Sequence, residues 1–101
     1  MSPVVTDHPE HERYEARADG VLAGFAQYRR SNALIAFIHT EVDPSFEGKG
    51  IGTALIKGAL DDARAQGLSV LPFCPFVRGY VERHAEYLDL VPESRRHDFN
   101  L

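Results

Sequence analysis

With Cys74 as its one cysteine, the 101-residue chain can form no internal disulfide and no multi-cysteine zinc site. That usage fits a reducing compartment, and cytoplasm is the expected location. A long apolar run is missing as well. No stretch approaches the roughly 18 residues needed to cross a bilayer, and Met1-Ser2-Pro3-Val4-Val5-Thr6-Asp7 lacks the basic start and apolar run of a signal peptide. The sequence therefore reads as neither exported nor embedded, with no membrane partner. An excess of positive charge is absent too: the net charge of -4 gives no general attraction for a polyanion and argues against nucleic acid as a partner. Any anionic ligand needs a local site.

What is present is an ordinary globular composition, 44% hydrophobic and 26% charged, in a length suited to one domain with one modest core. Residues 1–10 show no periodicity and read as a loose arm. Tyr14, Ala16 and Ala18 then alternate with charged residues, Asp19-Gly20 makes a hairpin turn, and Val21 to Arg29 returns as a second strand. After a polar turn at Arg30-Ser31-Asn32, the run from Ala33 to Val42 is apolar on both faces in its first half, which predicts a central strand covered on both sides.

Beyond Asp43-Pro44 and a glycine-rich turn, Ile51, Leu55, Ala59 and Ala63 recur every four residues, with Asp61, Asp62 and Arg64 on the other side. That is an amphipathic helix, ended by Gly67 as a left-handed cap. Leu68 to Phe73 is short enough for one buried strand, parallel to the one before the helix. Val77 to Leu90 has a helical rhythm, and residues 92–101 read as a solvated tail. A three-strand antiparallel meander followed by helix, parallel strand and C-terminal helix makes the fold class α+β.

The turn Glu47-Gly48-Lys49-Gly50-Ile51-Gly52 joins a buried strand to a helix. Its glycines let backbone N–H groups approach a ligand, and the first helical turn offers further donors where the helix dipole favours negative charge. Such a turn can hold a pyrophosphate, or it can be a tight connection with no ligand. The Gly-Lys-Ser/Thr ending of a nucleotide P-loop is missing, and the preceding meander does not suit a dinucleotide fingerprint.

From His39 to Gly52 the sequence resembles the acetyl-CoA-binding motif of the GNAT superfamily of N-acetyltransferases, whose usual form is Gln or Arg, two residues, Gly, one residue, Gly or Ala. Val42-Asp43-Pro44, Thr53-Ala54-Leu55-Ile56 and a tyrosine-bearing helix after the next strand also look like that family. The resemblance covers about Leu34 to Leu90. It implies a truncated GNAT-like fold that binds acetyl-CoA through Thr40, Val42, Glu47, Gly48, Lys49, Gly50, Ile51, Gly52 and Thr53. Glu47 stands where the family has Gln or Arg, which leaves the backbone donors and Lys49 to attract the phosphates. The helical insertion between the first two strands and the final pair of strands are missing, as in short single-domain members.

Acetyl transfer to an amine needs a base, a site for the oxyanion and a proton for the departing thiolate. His39 and Glu41 lie two apart at the end of the central strand, hence on one face, following apolar Ile35 and Phe37. Glu41 beside apolar surface suits a general base; a solvated ion pair is the other reading. His39 can assist it or serve as a hydrogen-bonded structural histidine. Tyr80 matches the position where the resemblance implies a tyrosine that protonates the thiolate, and it could equally be a packing residue; His84, four residues on, shares its helical face. Cys74 is either a nucleophile activated by a helix N-terminus or a small buried hydrophobe. His8 and His11 have no further ligands for a metal, so none is expected.

The function that follows is an acetyl-CoA-dependent N-acetyltransferase acting on a small amine or a peptide amine, as monomer or homodimer. A CoA-binding module with little activity, or a purely structural domain, are the alternatives.

Overall fold

The computed structural model describes residues 3–101. Five strands form one sheet in chain order: β1 (Val4–His8), β2 (Arg13–Ala18), β3 (Val21–Ser31), β4 (Leu34–Val42) and β5 (Ser69–Pro72). The first four pair antiparallel, and β4 pairs β5 in parallel. Asp19 and Gly20 take left-handed φ values of 52 and 77°, the geometry that lets a two-residue hairpin follow the strand twist. Between β4 and β5 runs helix α1 (Ile51–Ala65); helix α2 (Pro75–Arg83) follows β5.

Helix α1 lies along the sheet because its apolar stripe has nowhere else to go. Ile51, Leu55, Ile56, Ala59, Leu60 and Ala63 are all buried, and each large side chain among them contributes about 1.5–3 kcal/mol. The helix stops at Gly67, φ +71°, where Leu68 N–H bonds the Ala63 carbonyl and Gly67 N–H that of Arg64. From the sheet, Tyr14, Ala16, Ala26, Tyr28, Ile35 and Phe37 complete this core. Two phenols tie strands to their surroundings: Tyr14 donates to Asp62 on α1, and Tyr28 donates to Asp7 on β1 at 2.6 Å.

Four features differ from the sequence reading. Of the expected loose arm, Val4–His8 is an edge strand in register with residues 13–17, and Met1 and Ser2 lie outside the described residues. Its ladder uses backbone groups, which leave no hydrophobic period to read. The second is β4, which is covered on one face only: Ile35 and Phe37 are buried, while Leu34 and Ile38 are each 38% exposed on an open sheet face. Third, the expected helix from Val77 to Leu90 breaks at His84 and continues as a 3-10 segment over Ala85–Leu90, held to α1 by Tyr87 and by Arg64 on Asp89. Last, residues 92–101 are no solvated tail: Glu93–Phe99 forms another 3-10 segment, Phe99 is buried, and Arg78 Nε donates to its carbonyl at 2.6 Å.

Candidate functional site

Asp43 sets the geometry of the glycine loop. Its Oδ1 accepts from the Ser45 amide and hydroxyl, capping a 3-10 turn over Pro44–Phe46, and these bonds hold its carboxyl below the usual carboxylate range. Gly48 and Gly50 then take φ values of 77 and 75°, which carry the chain into α1 with no side-chain cap. The consequence is a set of orphan donors. Among the described residues, no N–H of Gly48, Gly50, Ile51, Gly52 or Thr53 makes a hydrogen bond to a protein acceptor, whereas that of Ala54 already bonds the Gly50 carbonyl.

These donors border a cavity of about 270 Å³ lined by Val42, Phe46, Glu47, Gly48, Gly50, Ile51, Gly52, Thr53 and Phe76. Gly52 is required by the close approach of Phe76, since a Cβ there would sit 2.6 Å from the ring's Cζ. The chemistry of this set fits a pyrophosphate: several unpaired backbone donors at a helix N-terminus, with Glu47 as the one anionic side chain lining the cavity. Lys49 extends its ammonium over the Phe46 ring, 5.7 Å from the centroid, rather than into the cavity.

Beside this cavity the sheet forks. β4 and β5 pair from Leu34 with Ser69 to Phe37 with Pro72, and a final bond runs from Cys74 N–H to the Phe37 carbonyl. Pro72 and Pro75 end β5 there while β4 continues to Val42. Asp43 N–H bonds the Ala23 carbonyl, so the two-residue alternation of an antiparallel ladder turns Glu41 and His39 backbone groups toward β3 and those of Thr40 and Val42 toward the fork. Within the fork Thr40 Oγ1 and Cys74 Sγ are 3.2 Å apart. Cys74 is buried, at the N-cap of α2.

His39 and Glu41 do not share the face of Ile35 and Phe37. Gln27 pairs with His39 but Tyr28 with Phe37, so Ile38 is an extra residue in β4. The bulge turns His39 and Glu41 onto the open face and Thr40 and Val42 toward the core. Glu41 is thus not beside buried apolar surface; its carboxylate is exposed and lies 2.9 Å from His39 Nε2. His39 lies against Phe25, with ring centroids 6.2 Å apart. Tyr80 lies one turn beyond Phe76 on α2, stacked on His84 at 4.0 Å, with its phenol pushed up by burial. It does not line the glycine-loop cavity.

The structure therefore brings together Val42, Glu47, Gly48, Gly50, Ile51, Gly52 and Thr53 around one cavity, Thr40 and Cys74 in the fork, and His39 and Glu41 on the other face. Sequence reasoning missed Phe46 and Phe76 as walls of the cavity. The four-residue spacing of Phe76 and Tyr80 was the available signal, since it puts both on one helical face.

Known proteins share this fold. A family model described as GCN5-related N-acetyl-transferase matches residues 13–90. Over 52 residues the chain is 46% identical to streptothricin acetyltransferase of Streptomyces lavendulae, covering 50% of this chain and 28% of that protein, so it spans little more than a quarter of that relative's length. A GCN5-like protein of Staphylococcus aureus has the same fold, with a TM-score of 0.68 at 22% identity over 90% of this chain and 89% of that one. N-acetylglutamate synthase of Neisseria gonorrhoeae, solved with coenzyme A and N-acetyl-glutamate, superimposes with a TM-score of 0.57 at 24% identity, covering 95% of this chain and 26% of that one. The family model takes in the meander, the glycine loop, the fork and both helices, and on that match the chain belongs to the GCN5-related N-acetyl-transferase family.

Proposed function

We propose that the chain transfers the acetyl group of acetyl-CoA to an amine. The observation that carries this reading is the set of orphan N–H donors of Gly48, Gly50, Ile51, Gly52 and Thr53, opening beside a fork in the sheet. The donors would hold the pyrophosphate, with Phe46 and Phe76 as apolar walls. The backbone of Thr40 and Val42, turned into the fork, would receive the thioester end of acetyl-CoA.

In the step itself an ammonium on the open face gives a proton to the Glu41 carboxylate, directly or through water. The His39 contact orients that carboxylate. The amine nitrogen attacks the thioester carbon, and the oxyanion is held by the Thr40 or Val42 N–H. On collapse the carbon–sulfur bond breaks, its electron pair leaves with sulfur, and the thiolate takes a proton from Tyr80, while the second proton of the attacking nitrogen passes through water to restore the phenol. A phenol raised by burial keeps its proton at neutral pH and so has one to give.

Cys74 is a wall of the fork in this mechanism, its sulfur held against the Thr40 hydroxyl. Acetyl-CoA without acceptor should leave it unmodified, and an acetyl mass increment on Cys74 would replace direct attack by a covalent route. The family match favours the transferase over an inactive CoA-binding module. Calorimetric titration with acetyl-CoA, followed by CoA release with mixed amines, tests the reading. It predicts binding that is lost in Gly50→Asp and turnover that falls about a hundredfold or more in Glu41→Gln; no binding at millimolar acetyl-CoA would end it.

A further inference from the structure

A second cavity, of about 230 Å³, lies where β3 begins and β4 ends, lined by Leu22, Ala23, Gly24, Phe25, Glu41, Val42, Asp43 and Pro44. Leu22, Phe25 and Glu41 put it on the open face of the sheet, across β4 from the glycine loop. Val42 lines both cavities, so they meet at one residue beside the fork.

Its chemistry is one-sided. Phe25, Leu22, Val42 and Pro44 give it apolar walls, and its two ionisable lining residues, Glu41 and Asp43, are both acids. Ser45 occupies only Oδ1 of Asp43, and Oδ2 has no hydrogen-bond partner among the described residues. The nearby cations are already engaged. Arg13 lies over the Phe25 ring at 4.7 Å and Arg17 pairs opposite Leu22, but both guanidinium groups bind Glu15, at 2.8 and 3.1 Å. Among the described residues, those lining the cavity present a ligand with two carboxylates and an aromatic ring and no cation, His39 beside it being engaged by Glu41 through Nε2.

We infer that this cavity takes the acetyl acceptor, and that the acceptor is a small primary amine with an uncharged aliphatic or aryl stem rather than an amino acid. The inference rests on the acetyl-transfer reading above. The ammonium sits at Glu41, one residue from the fork, and the stem packs on Phe25, where ring and cation also attract. A carboxylate next to the amine would face Glu41 and Asp43 and be repelled.

Phenethylamine and phenylalanine differ only by that carboxylate and make the test. Amide chemical shifts of the acetyl-CoA-loaded and the ligand-free protein are followed during titration with each. Phenethylamine should shift residues 22–25 and 41–44, bind about tenfold or more tightly than phenylalanine, and show the same preference in CoA release. Glu41→Gln should weaken it while leaving calorimetric acetyl-CoA binding in place. Equal or tighter binding of phenylalanine, shifts confined to other residues, or no shifts would overturn the inference while acetyl-CoA binding still stood. Amine binding without acetyl-CoA binding, or both without CoA release, would overturn the acceptor role itself.

Discussion

Glu15 is buried on a sheet face that is otherwise open, under Arg13, Arg17 and His8. Burial pushes its carboxyl up, and the bonds from the two arginines with the charge of His8 bring the net shift below the usual range. A carboxyl lower in the folded chain than in the unfolded one stabilises fully at neutral pH. That stabilisation is lost as pH falls through the folded value. Glu15→Gln should cost about 1–3 kcal/mol in urea unfolding at neutral pH, and the difference from the parent should shrink in acid. Gly52 works by space. In Gly52→Ala the added carbon drives Phe76, which is partly exposed and able to swing, out of its place in the cavity wall. Thermal stability should change little while acetyl-CoA affinity drops about tenfold or more by calorimetry; unchanged affinity would remove Phe76 from the site.

At the scale of elements, β1 is held by more than its ladder. Val5 packs on α1 at Gly58, where a Cβ would come within 2.9 Å of the valine's own Cβ, an atom fixed by the strand backbone. Gly58→Ala should therefore destabilise by about 1–3 kcal/mol and speed hydrogen exchange in β1 ahead of the other strands. Much of this architecture could be read beforehand. The Asp19-Gly20 turn, the four-residue repeat of α1 and its Gly67 cap are local rules expressed by single residues. The edge strand could not, because polar Thr6, Asp7 and His8 sit in a ladder made by backbone groups alone. Nor could the bulge at Ile38, since Phe37-Ile38-His39 carries no mark distinguishing an extra residue from continued alternation. That one residue moved Glu41 to the opposite face, so its identity as a candidate was legible and its surroundings were not.

The whole molecule carries net negative charge, and its proposed ligand is a polyanion. Attraction must come from fixed backbone dipoles, which salt screens weakly at contact, while the long-range repulsion is screened strongly. Acetyl-CoA affinity should therefore hold or rise between low and physiological salt in calorimetry. A steep fall would instead point to lysine and arginine side chains as the main binders. Bound ligand at about a hundred times its dissociation constant should stabilise the fold by about 2.7 kcal/mol, visible as a rise in melting temperature.

The strand order has a kinetic consequence. Because β1, β2, β3, β4 and β5 stand side by side in the order they occur in the chain, each antiparallel pair closes over a short connection. The single longer closure, β4 to β5, is spanned by α1, whose own turns form locally. Such a chain makes its sheet mostly from near neighbours, and topology of that kind folds quickly for a mixed α/β protein. The fork is assembled at that last, longest closure, so the site should be complete only when the fold is.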